Sequence, residues 1–149
     1  MQILYVPHPI LRQKAEKLNT ITDEDLIVAK NMMLNRVKGL IINLSSISSK
    51  GNTGQSAYSV SKAGIEALTK TLSKELSIMG IRSTGIAPGF IDTPATRKAI
   101  TENQIKQLSK LTPANRLGEV NEIVSAVNMI IENDFDNGKI IEVDGGLVF

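Results

Sequence analysis

The chain contains no cysteine and no tryptophan, and its single histidine is His8. Lack of cysteine excludes disulfides, thiolate metal sites and cysteine nucleophiles together. One histidine cannot build a His-rich metal centre, so the sequence offers no metal ligand set. Aromatic residues are scarce, two Tyr and three Phe, and no block of Lys or Arg stands out. Nothing therefore resembles a nucleic-acid-binding surface. Apolar runs are short: Gly39-Leu40-Ile41-Ile42 is among the longest, far below the ~20 residues of a membrane span. The N-terminus has no basic region and meets Pro7 and Pro9 early, so it does not read as a signal peptide. A cytoplasmic location is the expectation.

What is present fits a folded domain. With 149 residues the chain has room for one domain with one core, and a core of that size needs no covalent staple. Hydrophobic residues at 42% and charged residues at 21% place it with globular proteins rather than disordered ones. The charges nearly cancel, 17 basic against 15 acidic, and give no electrostatic hint of a partner.

The pattern alternates strands with helices. Residues 2–6 read as a short strand stopped by Pro7. Thr22 and Asp25 resemble a capping box opening a helix to about Arg36, with Leu26, Ala29, Met33 and Val37 as its apolar stripe. Leu40 to Leu44 is a β-branched run typical of a buried parallel strand. A polar stretch with Gly51 and Gly54 follows. A long helix then runs from about Ser56 to Met79, with Ile65, Leu68, Leu72, Leu76 and Met79 at helical spacing and Gly80 as its C-cap. Ile81 to Ala87 is the next strand, ended by Pro88-Gly89. Residues 95–111 are polar and helix-prone, Glu119 to Glu132 is another amphipathic helix, and Lys139 to Val143 is the last strand. Such alternation implies a parallel α/β sheet with right-handed crossovers.

Chemistry concentrates at one edge of that sheet. Tyr58 and Lys62 are four apart on a helix, so their side chains share a face. A free phenol has a pKa of about 10, too high for efficient acid–base work at neutral pH, and an adjacent ammonium lowers it. The bare pair is more often a solvated helix face. Here Ser45-Ser46 ends the strand before it, where α/β proteins bind ligands, and Pro88-Gly89 followed by Ile91-Asp92-Thr93 ends the next strand on the same edge.

The run Gly39 to Ile47, with Gly54-Gln55-Ser56-Ala57-Tyr58-Ser59-Val60-Ser61-Lys62-Ala63-Gly64, resembles the active-site segment of the short-chain dehydrogenase/reductases. Ile81-Arg82 and Ile86 to Thr93 resemble the family's nicotinamide-side strand and loop, with Thr84 where asparagine is usual. Pro113 to Ile123 and Gly138 to Gly146 resemble its C-terminal signature. The likeness covers residues 34–149 and leans toward the 3-oxoacyl-carrier-protein reductases. It implies an NAD(P)-dependent oxidoreductase acting on a carbonyl or alcohol. Tyr58 would be the general acid, Lys62 its activator and ribose ligand, and Ser46 the hydrogen-bond donor to substrate oxygen, with Ser45 as its alternative. Pro88, Gly89, Ile91 and Thr93 would be the cofactor contacts, to NADP or NAD, and residues 95–111 the substrate lid.

The same likeness exposes what this sequence lacks. The family's cofactor site opens with a Gly-rich turn that lets the backbone approach the pyrophosphate. The first glycine here is Gly39, so no such turn lies upstream of the active-site strand. Neither Asn19 nor Asn31 sits in the family's catalytic-asparagine motif. Residues 1–33, from Ile3-Leu4-Tyr5-Val6-Pro7-His8-Pro9 onward, resemble the N-terminus of a peptide deformylase, whose metal ligands are absent here. The expectation is a chimera: a deformylase-like segment, 1–33, joined to the C-terminal half of a short-chain dehydrogenase/reductase domain, 34–149. Its fold would be a truncated Rossmann-like α/β fold, a parallel sheet of about three strands flanked by helices, without the dinucleotide-binding half. The bare edge of strand 40–44 would be covered by residues 2–6 of the same or a partner chain. Exposed apolar surface would favour a homodimer or larger homo-oligomer. The single chain would be a catalytically incompetent remnant of the family; the alternatives are a non-enzymatic self-associating protein, or a subunit whose cofactor half a partner chain supplies.

Overall fold

A computed structural model describes residues 2–4 and 23–147. The central sheet has the order β1-β2-β3-β6. Its strands are β1 (Gln2–Leu4), β2 (Gly39–Leu44), β3 (Ile81–Pro88) and β6 (Ile140–Val143). β2, β3 and β6 run parallel, in registers Leu44↔Ile86 and Pro88↔Val143. This is the small three-stranded parallel sheet expected of a truncated Rossmann-like fold. β1 of the same chain lies antiparallel along β2, Gln2 opposite Ile42 and Leu4 opposite Leu40. The free edge is thus covered as expected, within one chain, with the described pairing limited to Gln2–Leu4. Tyr5 and Val6, His8, Asn19 and the Thr22 cap lie outside the described residues.

Helices pack on both faces because the strands alternate apolar side chains across the pleat. Ile41 and Ile81 face one side, with Met32, Leu72, Leu76 and Met79 against them. Met32 comes from α1 (Asp23–Leu34), Leu72 from α2 (Ser56–Glu75), Leu76 from the cap that follows it and Met79 from the 3-10 turn Ser77–Met79. Leu40 and Ile86 face the other side, where they meet Ile130 of α5 (Val120–Glu132). Between β3 and α5 come a minor ladder, β4 (Ile91–Asp92) beside β5 (Gly118–Glu119), and two helices, α3 (Pro94–Ala99) and α4 (Glu102–Leu111). The polar stretch 95–111 is therefore two helices. A Thr101–Gln104 capping box starts the second.

Two details differ from the periodicity. In α1 the inward methionine is Met32, buried over Ile41 and Ile81, whereas Met33 is 43% exposed. The helix ends at Leu34, so Val37 lies beyond it. α2 stops at Glu75, and Gly80 takes the left-handed φ of 75° that closes the following 3-10 turn. Its inward face is partly polar: Thr69 and Ser73 are buried while Leu68 is exposed. The cause lies in the sheet beneath it. Asn43 Nδ2 donates to Thr69 Oγ1 at 3.0 Å and to Ser83 Oγ at 3.3 Å. Asn137 Oδ1 accepts from the Ser83 amide at 2.9 Å, and its Nδ2 donates to the Ser73 carbonyl at 3.2 Å. A hydrogen-bonded polar layer thus sits where an apolar seam is usual, and its groups are satisfied mutually.

Candidate active site

The C-terminal ends of β2, β3 and β6 lie side by side, and the loops leaving them share one edge. The Ser45 amide donates to the Ile86 carbonyl at 2.7 Å, and the Gly89 amide to the Val143 carbonyl at 2.9 Å. Ser45-Ser46, the Pro88–Thr93 loop and the Asp144-Gly145-Gly146 turn therefore leave the sheet together.

Ser46 is the N-cap of a 3-10 turn, Ile47–Lys50. Its Oγ accepts from the Ser48 amide at 3.2 Å, which leaves its O–H free to donate elsewhere. Ser45 is buried and engaged: its Oγ lies 3.0 Å from Glu66 Oε1 and 3.2 Å from the Lys62 carbonyl. Of the two serines offered by the sequence, Ser45 commits its hydroxyl to α2, whereas Ser46 Oγ only accepts from Ser48.

Gly54, with φ of 80°, turns the chain into α2, whose first turns carry Tyr58 and Lys62. Tyr58 is 45% exposed, and Lys62 Nζ lies 5.5 Å from the centroid of its ring, within cation–π range. Lys62 Nζ also donates to the Leu44 carbonyl at 2.8 Å. That bond ties the ammonium to the end of β2, two residues before Ser46. The structure thus brings Lys62 to both Tyr58 and the serine loop.

The Pro88–Thr93 loop is half-buried. A Cβ on Gly89 would lie 2.7 Å from Asp144 Cα, so the glycine is needed by the fold itself. Ile91 belongs to β4, and its carbonyl accepts from Thr96 Oγ1 at 2.8 Å. Thr93 caps α3, accepting the Thr96 amide at 3.0 Å. Arg97 Nε donates to Asp92 Oδ1 at 2.7 Å, and the Arg97 guanidinium holds the Asp92 carboxyl below its usual range.

A nicotinamide nucleotide meets a partial fit on this edge. At the nicotinamide and ribose end, Tyr58, Lys62 and the Pro88–Thr93 loop offer hydroxyl, ammonium and backbone groups. Among the described residues no glycine precedes Gly39 of β2, so none of them forms a Gly-rich turn for a pyrophosphate. The sequence pattern did not single out Glu66. Its spacing, four residues past Lys62 and eight past Tyr58, was the available signal, because both offsets keep one helix face.

A family model described as enoyl-(acyl carrier protein) reductase matches residues 26–148. The chain belongs to the short-chain dehydrogenase/reductase family. The human (3R)-3-hydroxyacyl-CoA dehydrogenase is 38% identical over 122 residues, which cover 80% of this chain and 46% of that protein. The 3-oxoacyl-[acyl-carrier-protein] reductase FabG of Thermotoga maritima is 34% identical over 149 residues, covering 93% and 60%. Carbonyl reductase family member 4 of Xenopus laevis is 34% identical over 146 residues, again 93% and 60%. The chain thus spans about half the length of the curated relatives it matches. Alignments that take in 93% of it must include part of segment 1–33. Nothing in these matches supports the deformylase likeness. Within the short-chain dehydrogenase/reductase family these relatives are named as dehydrogenases and reductases.

Proposed function

We propose that this chain carries the proton-donating half of an NAD(P)-dependent oxidoreductase site for a carbonyl or alcohol, of the 3-oxoacyl-carrier-protein reductase kind. We also propose that the 149 residues by themselves turn over slowly. The observation that carries the reading is the position of Lys62, whose Nζ lies 5.5 Å from the Tyr58 ring centroid and donates to the Leu44 carbonyl, two residues before Ser46.

In reduction the Tyr58 hydroxyl gives its proton to the carbonyl oxygen, and in oxidation it takes the proton back. Ser46 donates its O–H to the same oxygen, the geometry that its bond from the Ser48 amide leaves open. Lys62 supplies positive charge beside the phenol as that proton leaves. A nicotinamide cofactor, NADP or NAD, supplies the hydride when bound. Pro88, Gly89, Ile91 and Thr93 border its amide side, and α3 and α4 form the substrate lid. Slow turnover follows from binding: without a pyrophosphate cradle the cofactor is poorly positioned, and positioning contributes much of an enzyme's rate.

With millimolar NADPH and a 3-oxoacyl thioester, the wild type is expected to show slow reduction. Tyr58→Phe should lower it about a hundred-fold, the scale of a positioned general acid. Equal rates in the two proteins would overturn the role of Tyr58.

A second reading concerns assembly. Val60 and Leu68 on α2, and Val120, Val124 and Met129 on α5, are exposed apolar side chains. They support a homodimer or larger homo-oligomer, which light scattering during gel filtration would detect; a monomer at all concentrations would exclude it. A separate chain supplying the cofactor half would pair with the β2 edge, now held by three residues of β1. The antiparallel run of β1 on a parallel sheet supports a grafted N-terminal segment, and the alignments reaching into 1–33 weigh the other way. Among the described residues no helix is long and apolar enough to cross a membrane.

A further inference from the structure

The loop that carries Ser46 makes few contacts of its own with the sheet. Its position comes from α2. The Leu44 carbonyl accepts from Lys62 Nζ at 2.8 Å, and Ser45 Oγ lies 3.2 Å from the Lys62 carbonyl. One turn further along, Glu66 Oε1 accepts from Ser45 Oγ at 3.0 Å and from Ser49 Oγ as well. Ser45 and Ser49 bracket Ser46 and the 3-10 turn, so one carboxylate oxygen grips the loop on both sides of the residue that faces the substrate. Inside the loop the turn is defined by Ser48 N to Ser46 Oγ at 3.2 Å, Ser49 N to the Ser46 carbonyl at 2.9 Å, and Gly51 N to the Ser48 carbonyl at 3.1 Å, with Asn52 Nδ2 3.5 Å from Ser48 Oγ.

Other ties reach outside the turn: the Ser45 amide donates to the Ile86 carbonyl at 2.7 Å, Ser48 Oγ donates to Gln55 Oε1 at 3.3 Å, and Lys50 pairs with Glu142 at 2.7 Å. The last is an ion pair. Both of its side chains are about half exposed, and exposed ion pairs hold a geometry weakly. Glu66 is half-buried, and its bonds are charge-assisted. Among the described side chains, Glu66 is the one that holds the loop at two points, Ser45 and Ser49.

We infer that Glu66 is a positioning residue of the site: its carboxylate fixes Ser46 relative to Tyr58 by clamping Ser45 and Ser49 to the helix that bears Tyr58 and Lys62. The inference rests on the reductase reading for the meaning of Ser46, while the clamp itself is a property of the fold. Oε1 is the acceptor for both hydroxyls, so a glutamine keeps the clamp and an alanine removes it.

The test is amide hydrogen exchange, resolved by NMR, on the wild-type chain, Glu66→Gln and Glu66→Ala. In Glu66→Ala, exchange at Ser48, Ser49 and Gly51 should rise about ten-fold or more, the amide of Ser46 should shift, and the α2 amides of Thr69 and Leu72 should keep their protection. Glu66→Gln should stay within about three-fold of wild type at every one of these positions. Unchanged loop exchange in Glu66→Ala, or Glu66→Gln behaving like Glu66→Ala, would overturn the inference. A rise spread equally over α2 would overturn it too, since that marks general destabilisation. NADPH-dependent reduction measured on the same proteins addresses the reductase reading separately: absence of turnover in the wild type counts against that reading and leaves the exchange comparison decisive for the clamp.

Discussion

Gly89 distinguishes two explanations of the Pro88–Thr93 loop. By resemblance the glycine serves the cofactor; by geometry it serves the fold. Its φ lies outside the left-handed region, so alanine can adopt the backbone, and the obstacle is space alone. The added Cβ would stand 2.7 Å from Asp144 Cα and 3.0 Å from the Asp144 carbonyl oxygen. These are backbone atoms with little room to retreat. Gly145 and Gly146 hold left-handed φ values of 67° and 86° behind them, and the Ala114 amide anchors the turn through the Gly145 carbonyl at 3.1 Å. Relief must therefore come from parting β3 and β6 at their C-terminal ends, stretching the 2.9 Å bond from the Gly89 amide to Val143. Overpacking of this kind costs about 1–3 kcal/mol, which in a domain of this length is a fall of about 3–10 °C in Tm. Calorimetry on Gly89→Ala without any nucleotide is the assay. An unchanged Tm together with lost cofactor binding would refute the packing explanation and return the glycine to the cofactor.

Asn43→Ala should lower the urea midpoint by the equivalent of about 1–3 kcal/mol, because it strips the Asn43 amide from a buried layer and leaves Ser83 Oγ without that donor; an unchanged midpoint would show that water replaces the amide at no cost. Tyr58→Phe should leave Tm within about one degree while lowering reduction, since the ring is 45% exposed and surface changes of this kind are near neutral. Acid stability should carry a signature of Glu122. Its carboxyl is lowered from 4.5 to about 2, first by Arg116 and then by the Glu119 amide. A group depressed in the folded state stabilises above its unfolded value and loses that contribution as pH falls through its folded value. The Glu122 contribution should therefore be complete above pH 4.5 and fade toward pH 2. Glu122→Gln should flatten the stability profile across that window, and identical acid profiles would contradict the assignment.

The parts of this fold legible in the sequence are those governed by local rules. Leu40, Ile41 and Ile42 announce a strand apolar on both faces, and the structure sends Leu40 to α5 and Ile41 to α1 and α2. Tyr58 and Lys62 meet because helical spacing requires it, and Ser46 and Pro88 share an edge because parallel strands end on the same side. What depends on tertiary partners was hidden. Nothing local distinguishes Met32 from Met33 as the buried residue until Ile41 and Ile81 are placed beneath α1. Asn43, Ser83 and Asn137 come from three separate segments, and only their meeting explains why α2 turns Thr69 and Ser73 inward. The covering of the β2 edge followed from the cost of leaving it bare, but its antiparallel direction did not. Glu66 carries no signal of its own in the sequence, because its partners Ser45 and Ser49 lie in a separate segment.

On the function proposed above, Ser46, Tyr58 and Lys62 form a proton-donating site while the chain alone holds a nicotinamide cofactor loosely. Titration of the purified protein with NADPH and with NADH, following nicotinamide fluorescence and Tm together, tests it most directly. The account predicts no saturation below the millimolar range and no gain in Tm at micromolar nucleotide. Saturable micromolar binding, with Tm rising as mass action requires, would contradict it and show that the fold provides a complete cofactor site.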